Sequence, residues 1–251
     1  MAAASSETGP RRPVRRYALA GMALAAAAVA HGAPGVTAIG PVRGRLFPRL
    51  AGIGRPGHVA LTFDDGPDPG STPAFLELLA GRGVSATFFL LGSMVARAPG
   101  LAAEIAAGGH ELAVHGWDHR YTLLRTPRAV RDDLARARDA VAGAAGTRPA
   151  WYRPPYGVLS AGALAAARSL ALTPLLWSSW GREWQPGATA GTVYRTAAAS
   201  LGSGACLLLH DSDCTSPPGS ARAALGALPR LLDDCAGLGL DVGPVREHGL
   251  W

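Results

Sequence analysis

At 251 residues, 48% of them hydrophobic and 17% charged, the chain has the composition of a globular protein long enough for one large core. It contains no lysine, so all 24 basic residues are arginine, in a background rich in Ala, Gly and Pro. The first thirty residues carry four of those arginines and one glutamate, so the formal charge falls from +6 to +3 once they are set aside. The rest holds no arginine run and no basic helix, which excludes an electrostatic footprint for nucleic acid.

Residues 1–16 are polar and end in Arg11-Arg12-Pro13-Val14-Arg15-Arg16, and an uncharged apolar run follows from Tyr17 to Ala30. Two readings of residues 1–30 stay open. Ala28-Val29-Ala30 fits the cleavage pattern of a secretory signal peptide. Alternatively, the absence of Asp, Glu or Arg between Arg16 and Arg43 fits a retained membrane anchor through residues 17–30. Both put the remainder outside the cytoplasm, as a membrane-anchored or secreted protein. The bland alternative is a cytosolic protein with an Ala-rich first helix. Residues 31–57, rich in Gly and Pro, read as a linker, and residues 58–251 as one domain.

From Val59 short apolar runs alternate with amphipathic stretches. Strands are expected at 59–64, 86–91, 110–115, 149–153, 173–177, 205–210 and 239–243, and helices at 72–82, 94–107, 127–144, 160–171, 189–201 and 219–237. This alternation implies an α/β fold with a parallel sheet, either a small imperfect barrel or a doubly wound sheet. Polar residues collect at the strand ends: Asp64 and Asp65, His115 with His119, Arg153, Trp177 with Glu183 and Trp184 beyond it, and His210 with Asp211. In either architecture those ends share one face, the face that carries active sites.

Asp64 and Asp65 end an apolar strand, and carboxylates there must be paired, hydrogen-bonded or bound to a cation. His115 and His119, four residues apart, face the same way if they share a helical turn. With Asp65 they offer two nitrogens and one oxygen to a single divalent metal ion, Zn²⁺ by preference, with Co or Ni also compatible. Asp64 is then placed as a general base toward water, and His210 as a general acid. The bland readings are a turn cap for Asp64 or Asp65, surface positions for the two histidines, and a satisfied core position for His210. His110 and Trp151 read as structural, Asp118 as solvated, and Asp68 and Asp211 as turn or supporting residues. In an oxidising compartment Cys214 and Cys235 are a candidate disulfide pair, with Cys206 buried in an apolar strand.

These motifs, in this order from Val59 to Val242, resemble the NodB-like polysaccharide deacetylases, carbohydrate esterase family 4. Thr62-Phe63-Asp64-Asp65-Gly66-Pro67 matches the first motif, which implies Asp64 as base and Asp65 as metal ligand. His115–His119 is similar to the metal-histidine motif. Arg153-Pro154-Pro155-Tyr156 is similar to the third, in which the arginine orients the base and the Tyr156 N–H helps bind the oxyanion. Leu208-Leu209-His210 is similar to the last, implying His210 as acid and Leu208 as a wall for the acetyl methyl. The resemblance implies a distorted (β/α)7 barrel, removal of acetyl groups from an N-acetylated glycan, and substrate contacts at Tyr156, Trp184 and Leu208.

Two departures stand out. Gly116 stands where the family has Ser or Thr after the first histidine. The fourth motif reads Trp177-Ser178-Ser179-Trp180-Gly181-Arg182-Glu183-Trp184, with two acids missing and Glu183 left to set the acidity of His210. Beside the envelope-polysaccharide deacetylase stand two alternatives: a deacetylase of a small or lipid-linked N-acyl sugar, and a catalytically silent carbohydrate-binding module.

Overall fold

The computed structural model describes residues 12–250. Residues 1–11, including Arg11 of the basic N-terminal segment, and Trp251 lie outside the described residues. In chain order the elements are α1 (Arg12–Gly32), a 3₁₀ turn (Ala33–Ala38), α2 (Gly40–Leu46), β1 (His58–Asp64), α3 (Thr72–Arg82), β2 (Thr87–Leu90), α4 (Gly92–Arg97), α5 (Pro99–Ala107) and β3 (Glu111–Val114). There follow a 3₁₀ turn (Thr122–Leu124), α6 (Pro127–Ala145), β4 (Trp151–Tyr152), a 3₁₀ turn (Pro155–Gly157), α7 (Ala161–Ser169), β5 (Thr173–Pro174) and β6 (Ser179–Trp180). The last are α8 (Ala190–Ala198), β7 (Cys206–His210), α9 (Ser220–Gly237), β8 (Asp241–Gly243) and a 3₁₀ turn (Val245–Glu247).

The strands form a parallel sheet in the order β5-β4-β3-β2-β1-β7-β6, with β8 pairing the start of β1. All seven residues of β1 are buried, as a central strand covered on both faces requires. One apolar layer joins Phe63, Phe75, Phe88, Leu228 and Leu231 between the sheet and α3, α5, α8 and α9. A second joins Val114, Tyr152 and Leu159 to α6 and α7. Helices end where the backbone chemistry demands: Thr126 caps α6 through Ala129 N–H at 3.3 Å, and left-handed Gly83 and Gly146 follow α3 and α6. The helix expected over 94–107 is two helices, α4 and α5, because Pro99 lacks an N–H and forces Ala98 out of the helical region. The strands expected at 149–153 and 173–177 shrink to two residues each, and β6 forms within the loop beyond Trp177. This arrangement is the distorted (β/α)7 barrel.

The barrel is open between β5 and β6, and the segment expected to be a linker fills that gap. Leu176 N–H donates to the Leu50 carbonyl at 2.7 Å. Gly52, at φ +69°, lies so close to β7 that a Cβ would sit 2.4 Å from that of Cys206. Ahead of it, buried Arg43 donates through Nη1 to the Thr37 carbonyl at 3.1 Å and through Nη2 to the Trp177 carbonyl at 2.8 Å. Residues 33–53 are thus a docked stave and not a free tether. The expected disulfide is absent: Cys214 is exposed, Cys235 packs inside α9 against the core, and both are free thiols.

Because Arg43 satisfies two carbonyls that its removal leaves stranded, Arg43→Met is expected to destabilise the full chain by about 2 kcal/mol. Equilibrium denaturant unfolding in detergent would measure the loss.

Candidate active site

The C-terminal ends of the strands bring the expected residues together. In the sheet register Asp64 lies level with Phe89 of β2 and with His210 of β7, and His115 and Arg153 follow directly on β3 and β4. The cleft they line has a cavity of about 260 Å³, with Tyr156, Trp177, Trp180, Trp184, Leu208 and Thr215 around it.

Arg153 is fully buried against the ring of Phe89, with its guanidinium carbon 4.0 Å from the ring centroid. Its Nη1 donates to Asp64 Oδ1 at 2.6 Å and to Thr62 Oγ1 at 2.9 Å. Nε and Nη2 donate to the carbonyls of Leu175 (3.3 Å) and Leu176 (3.0 Å). The Arg153 carbonyl also accepts from His115 Nδ1 at 2.8 Å. That bond sets the tautomer of His115 and turns Nε2 toward the acids, 3.4 Å from Asp65 Oδ1 and 3.7 Å from Asp64 Oδ2.

His119 Nε2 lies 3.7 Å from the same Asp65 oxygen, and one ligand atom from each of Asp65, His115 and His119 falls within 4.8 Å of the others. The two histidines do not share a helical turn, as the spacing implied. They sit in a loop bent by Gly116 (φ +97°) and by His119 itself (φ 57°). A side chain at 116 would be strained at that φ. The loop is held from another element: Asp133 of α6 accepts from Trp117 N–H at 2.9 Å and pairs with Arg125 at 2.5 Å.

The three residues suit a divalent cation on physical grounds. Asp65 is fully buried, and its Oδ1, aimed at both imidazoles, has no hydrogen-bond partner. A bare buried carboxylate oxygen of this kind calls for a cation. Burial raises the Asp65 pKa, but His210, His115 and His119 outweigh it and hold the carboxyl below its ordinary value. Burial, followed by His115, pushes His119 down to about 4, so its imidazole is neutral and offers a lone pair. A donor set of two imidazoles and one carboxylate fits Zn²⁺.

Thr215 was missed in the sequence. Its hydroxyl donates to the other oxygen, Asp65 Oδ2, leaving Oδ1 to face the histidines. It belongs to the β7–α9 loop, which is stitched to the 65–72 loop. Ser71 Oγ donates to the Asp211 carbonyl and Thr72 Oγ1 to Asp211 Oδ2, each at 2.5 Å, and Ser212 Oγ donates to Asp68 Oδ2 at 3.0 Å. Asp68 and Asp211 are therefore the supporting residues expected. The only sequence signal for Thr215 was its closeness to His210.

Across the cleft, His210 Nδ1 bonds Glu183 Oε1 at 2.8 Å. The longer glutamate arm is accommodated because residue 181 is glycine: a Cβ there would lie 2.6 Å from Glu183 Oε2. Burial opposes the imidazolium, but Glu183 and then Asp65 and Asp64 outweigh it and raise His210 to about 9. Trp180 fills the place of a lost acid and stacks between Trp177 (5.5 Å) and Trp184 (5.3 Å), which in turn meets the His210 ring at 5.3 Å. Tyr156, at φ 60°, packs its ring on His119 at 4.5 Å. Trp151 is buried in the core, His110 Nδ1 accepts from Ala86 N–H, and Asp118 lies at the surface beside Arg120.

Fold and site together define a (β/α) barrel whose strand ends gather two acids, three histidines and a buried arginine in one cleft, and comparison with known proteins narrows it. The polysaccharide deacetylase family profile matches residues 52–175. The chitooligosaccharide deacetylase of Bradyrhizobium sp. (strain ANU 289) is 36% identical over 174 residues, 68% of this chain and 77% of that protein. The peptidoglycan-N-acetylglucosamine deacetylase of Listeria monocytogenes is 35% identical over 154 residues, 61% of this chain, and the match spans 32% of that longer protein. The family 4 carbohydrate esterase from Streptomyces lividans, solved in complex with acetate, superposes with a TM-score of 0.67 at 30% identity over 74% of this chain and 92% of that one. The chain belongs to the NodB-like polysaccharide deacetylases, carbohydrate esterase family 4.

Two outcomes follow from this geometry. Thr215→Val is expected to weaken zinc binding by about 10- to 100-fold, with Thr215→Ser restoring it, as measured by chelator competition. Glu183→Gln removes the charge that raises His210, so the imidazole should lose its proton at a pH well below 9, closer to its ordinary 6.5. NMR titration of the ring would read this shift, and the alkaline limb of any activity that needs the imidazolium should move to lower pH with it.

Proposed function

We propose that this protein is a zinc-dependent N-deacetylase that acts outside the cytoplasm on an N-acetylated glycan, held at the membrane by residues 17–30. The observation that carries this reading is the double role of Arg153. Its guanidinium holds Asp64 while its carbonyl holds His115, so the base and the metal ligand face one point in one cleft. The relatives named as chitooligosaccharide and peptidoglycan deacetylases support the substrate class. The uncharged part of α1 from Tyr17 to Gly32 supports the location: it opens the stretch Ala20–Ala38, which by length and composition is apolar enough to cross a bilayer.

A divalent cation held by Asp65, His115 and His119 supplies Lewis acidity toward the acetyl carbonyl and makes water easier to deprotonate. Asp64 takes the proton of the attacking water at Oδ2, because Oδ1 is engaged by Arg153. The backbone N–H of Tyr156 steadies the oxyanion of the tetrahedral intermediate, an interaction of roughly 3–4 kcal/mol. His210, with Nδ1 held by Glu183, gives a proton from Nε2 to the leaving sugar nitrogen. Acetate and a free amine result, with no covalent enzyme intermediate. Leu208 bounds the acetyl methyl, and Trp184 offers an aromatic face to the sugar.

The altered fourth motif was the motive for a silent binding module. The Glu183–His210 hydrogen bond supports the enzyme reading over that alternative.

Acetate release from N-acetylated chitooligosaccharides tests the reading. Chelation should abolish activity and zinc restore it. Asp65→Ala should lose the metal. Asp64→Asn should keep the metal and lose turnover by about 10²- to 10⁴-fold. Full activity in Asp64→Asn would overturn the mechanism.

A further inference from the structure

We propose that the chain holds the mouth of its cleft against the bilayer and works on an N-acetylated amino sugar carried by a membrane lipid. This rests on the deacetylase and anchor readings above and adds the orientation of the site and the carrier of its substrate.

The inference starts from how little chain separates the apolar helix from the cleft. Only 6% of the window that marks the apolar stretch Ala20–Ala38 is buried, and its last residues, Gly35 and Thr37, already meet the folded domain, so the part free to enter a bilayer is α1 up to Gly32. At Gly35 a Cβ would lie 3.7 Å from both the Leu123 side chain and the Leu159 carbonyl. Thr37 is buried, and Arg43 clamps its carbonyl together with that of Trp177 in the cleft wall. From the end of α1 at Gly32 to Gly35 is three residues, at most about 10 Å of chain. A flexible tether would let the domain swing away from the membrane; this docked one does not.

The contact made at Gly35 is with the cleft's own rim. Leu159 and Val158 follow Tyr156 and Gly157, which line the cavity. Thr122 Oγ1 donates to the Val158 carbonyl at 2.9 Å, and the Tyr121 and Tyr156 rings pack 5.2 Å apart beside His119. The helix that would enter the bilayer therefore leaves the domain at the mouth of the site, not at the closed end of the barrel.

The segments that meet at this exit expose several apolar side chains, with the Arg120–Asp118 pair beside them. Val36 is 45% exposed, Ile39 54% and Leu124, next to Leu123, 84%. Tyr121 and Tyr156 add half-exposed aromatic rings of the kind that sit at membrane interfaces. Gly35, three residues past α1, touches Leu123, so a bilayer that receives α1 lies beside these side chains and covers them. A cleft in that position reaches sugars at lipid headgroup height, and glycan far from the membrane lies beyond it.

The test uses the full zinc-loaded chain in phosphatidylethanolamine–phosphatidylglycerol vesicles. Acetate release is compared from hexadecyl N,N′-diacetylchitobioside in the bilayer and from free N,N′-diacetylchitobiose. A Gly/Ser spacer of about 20 residues after Gly32 keeps the enzyme on the same membrane but frees its orientation. The spacer variant and Leu124→Asp should each slow the lipid glycoside about tenfold, the scale of a lost effective concentration, and leave the free disaccharide rate unchanged. That unchanged rate also certifies folding. Equal rates on the lipid glycoside for wild type and spacer variant would overturn the proposal. Release of the chain by alkaline carbonate would instead defeat the anchor reading, and the proposal with it. Absence of acetate from both substrates would defeat the deacetylase reading itself.

Discussion

The structure depends on one buried cation. Arg153 has no exposure to water, and a guanidinium so placed is strongly unfavourable unless every donor finds a partner. Its partners are Asp64, the Thr62 hydroxyl, two carbonyls beyond β5 and, at 3.7 Å, the Cys206 sulfur. They come from β1, β7 and the strand ends on the far side of the barrel. The same residue's carbonyl orients His115. The barrel must close correctly around Arg153 for the charge to be satisfied, and once it does Asp64 and His115 are aimed together.

Around that centre the two adjacent carboxylates separate in role. Asp64 ends β1 in extended backbone and turns to the arginine. Asp65, at φ 79°, leaves the strand and drops its carboxylate among three imidazoles. The loop after β7 holds it there through Thr215 and the bonds from Asp211 and Ser212 to the 65–72 loop. A pair of neighbouring acids is thereby divided into one that keeps a fixed partner and one left open for a cation.

The N-terminal segment completes the barrel in a way that bears on function. A (β/α) fold with an unpaired edge between β5 and β6 leaves backbone groups that need partners, and Leu50 and Arg43 supply them. The same docking brings the apolar helix to the rim of the cleft. One stretch of chain thus both closes the barrel and sets where the apolar helix meets the domain.

Much of this was legible in the sequence. The alternation of apolar runs with amphipathic stretches, and polar residues at five strand ends, determined the α/β fold class and the face on which Asp64, Asp65, His115, His119, Arg153 and His210 gather. Those signals are local, carried by residue type and period. The docked stave, the loop geometry of the two histidines, the hold of Asp133 on the Trp117 N–H, Thr215 on Asp65 and the fit of Glu183 beside Gly181 were decided only by tertiary structure. Each is a contact between residues distant in the chain or a backbone angle set by such contacts. A pattern of types along one strand or helix carries no record of which hydroxyl or carbonyl will come within three ångströms of it.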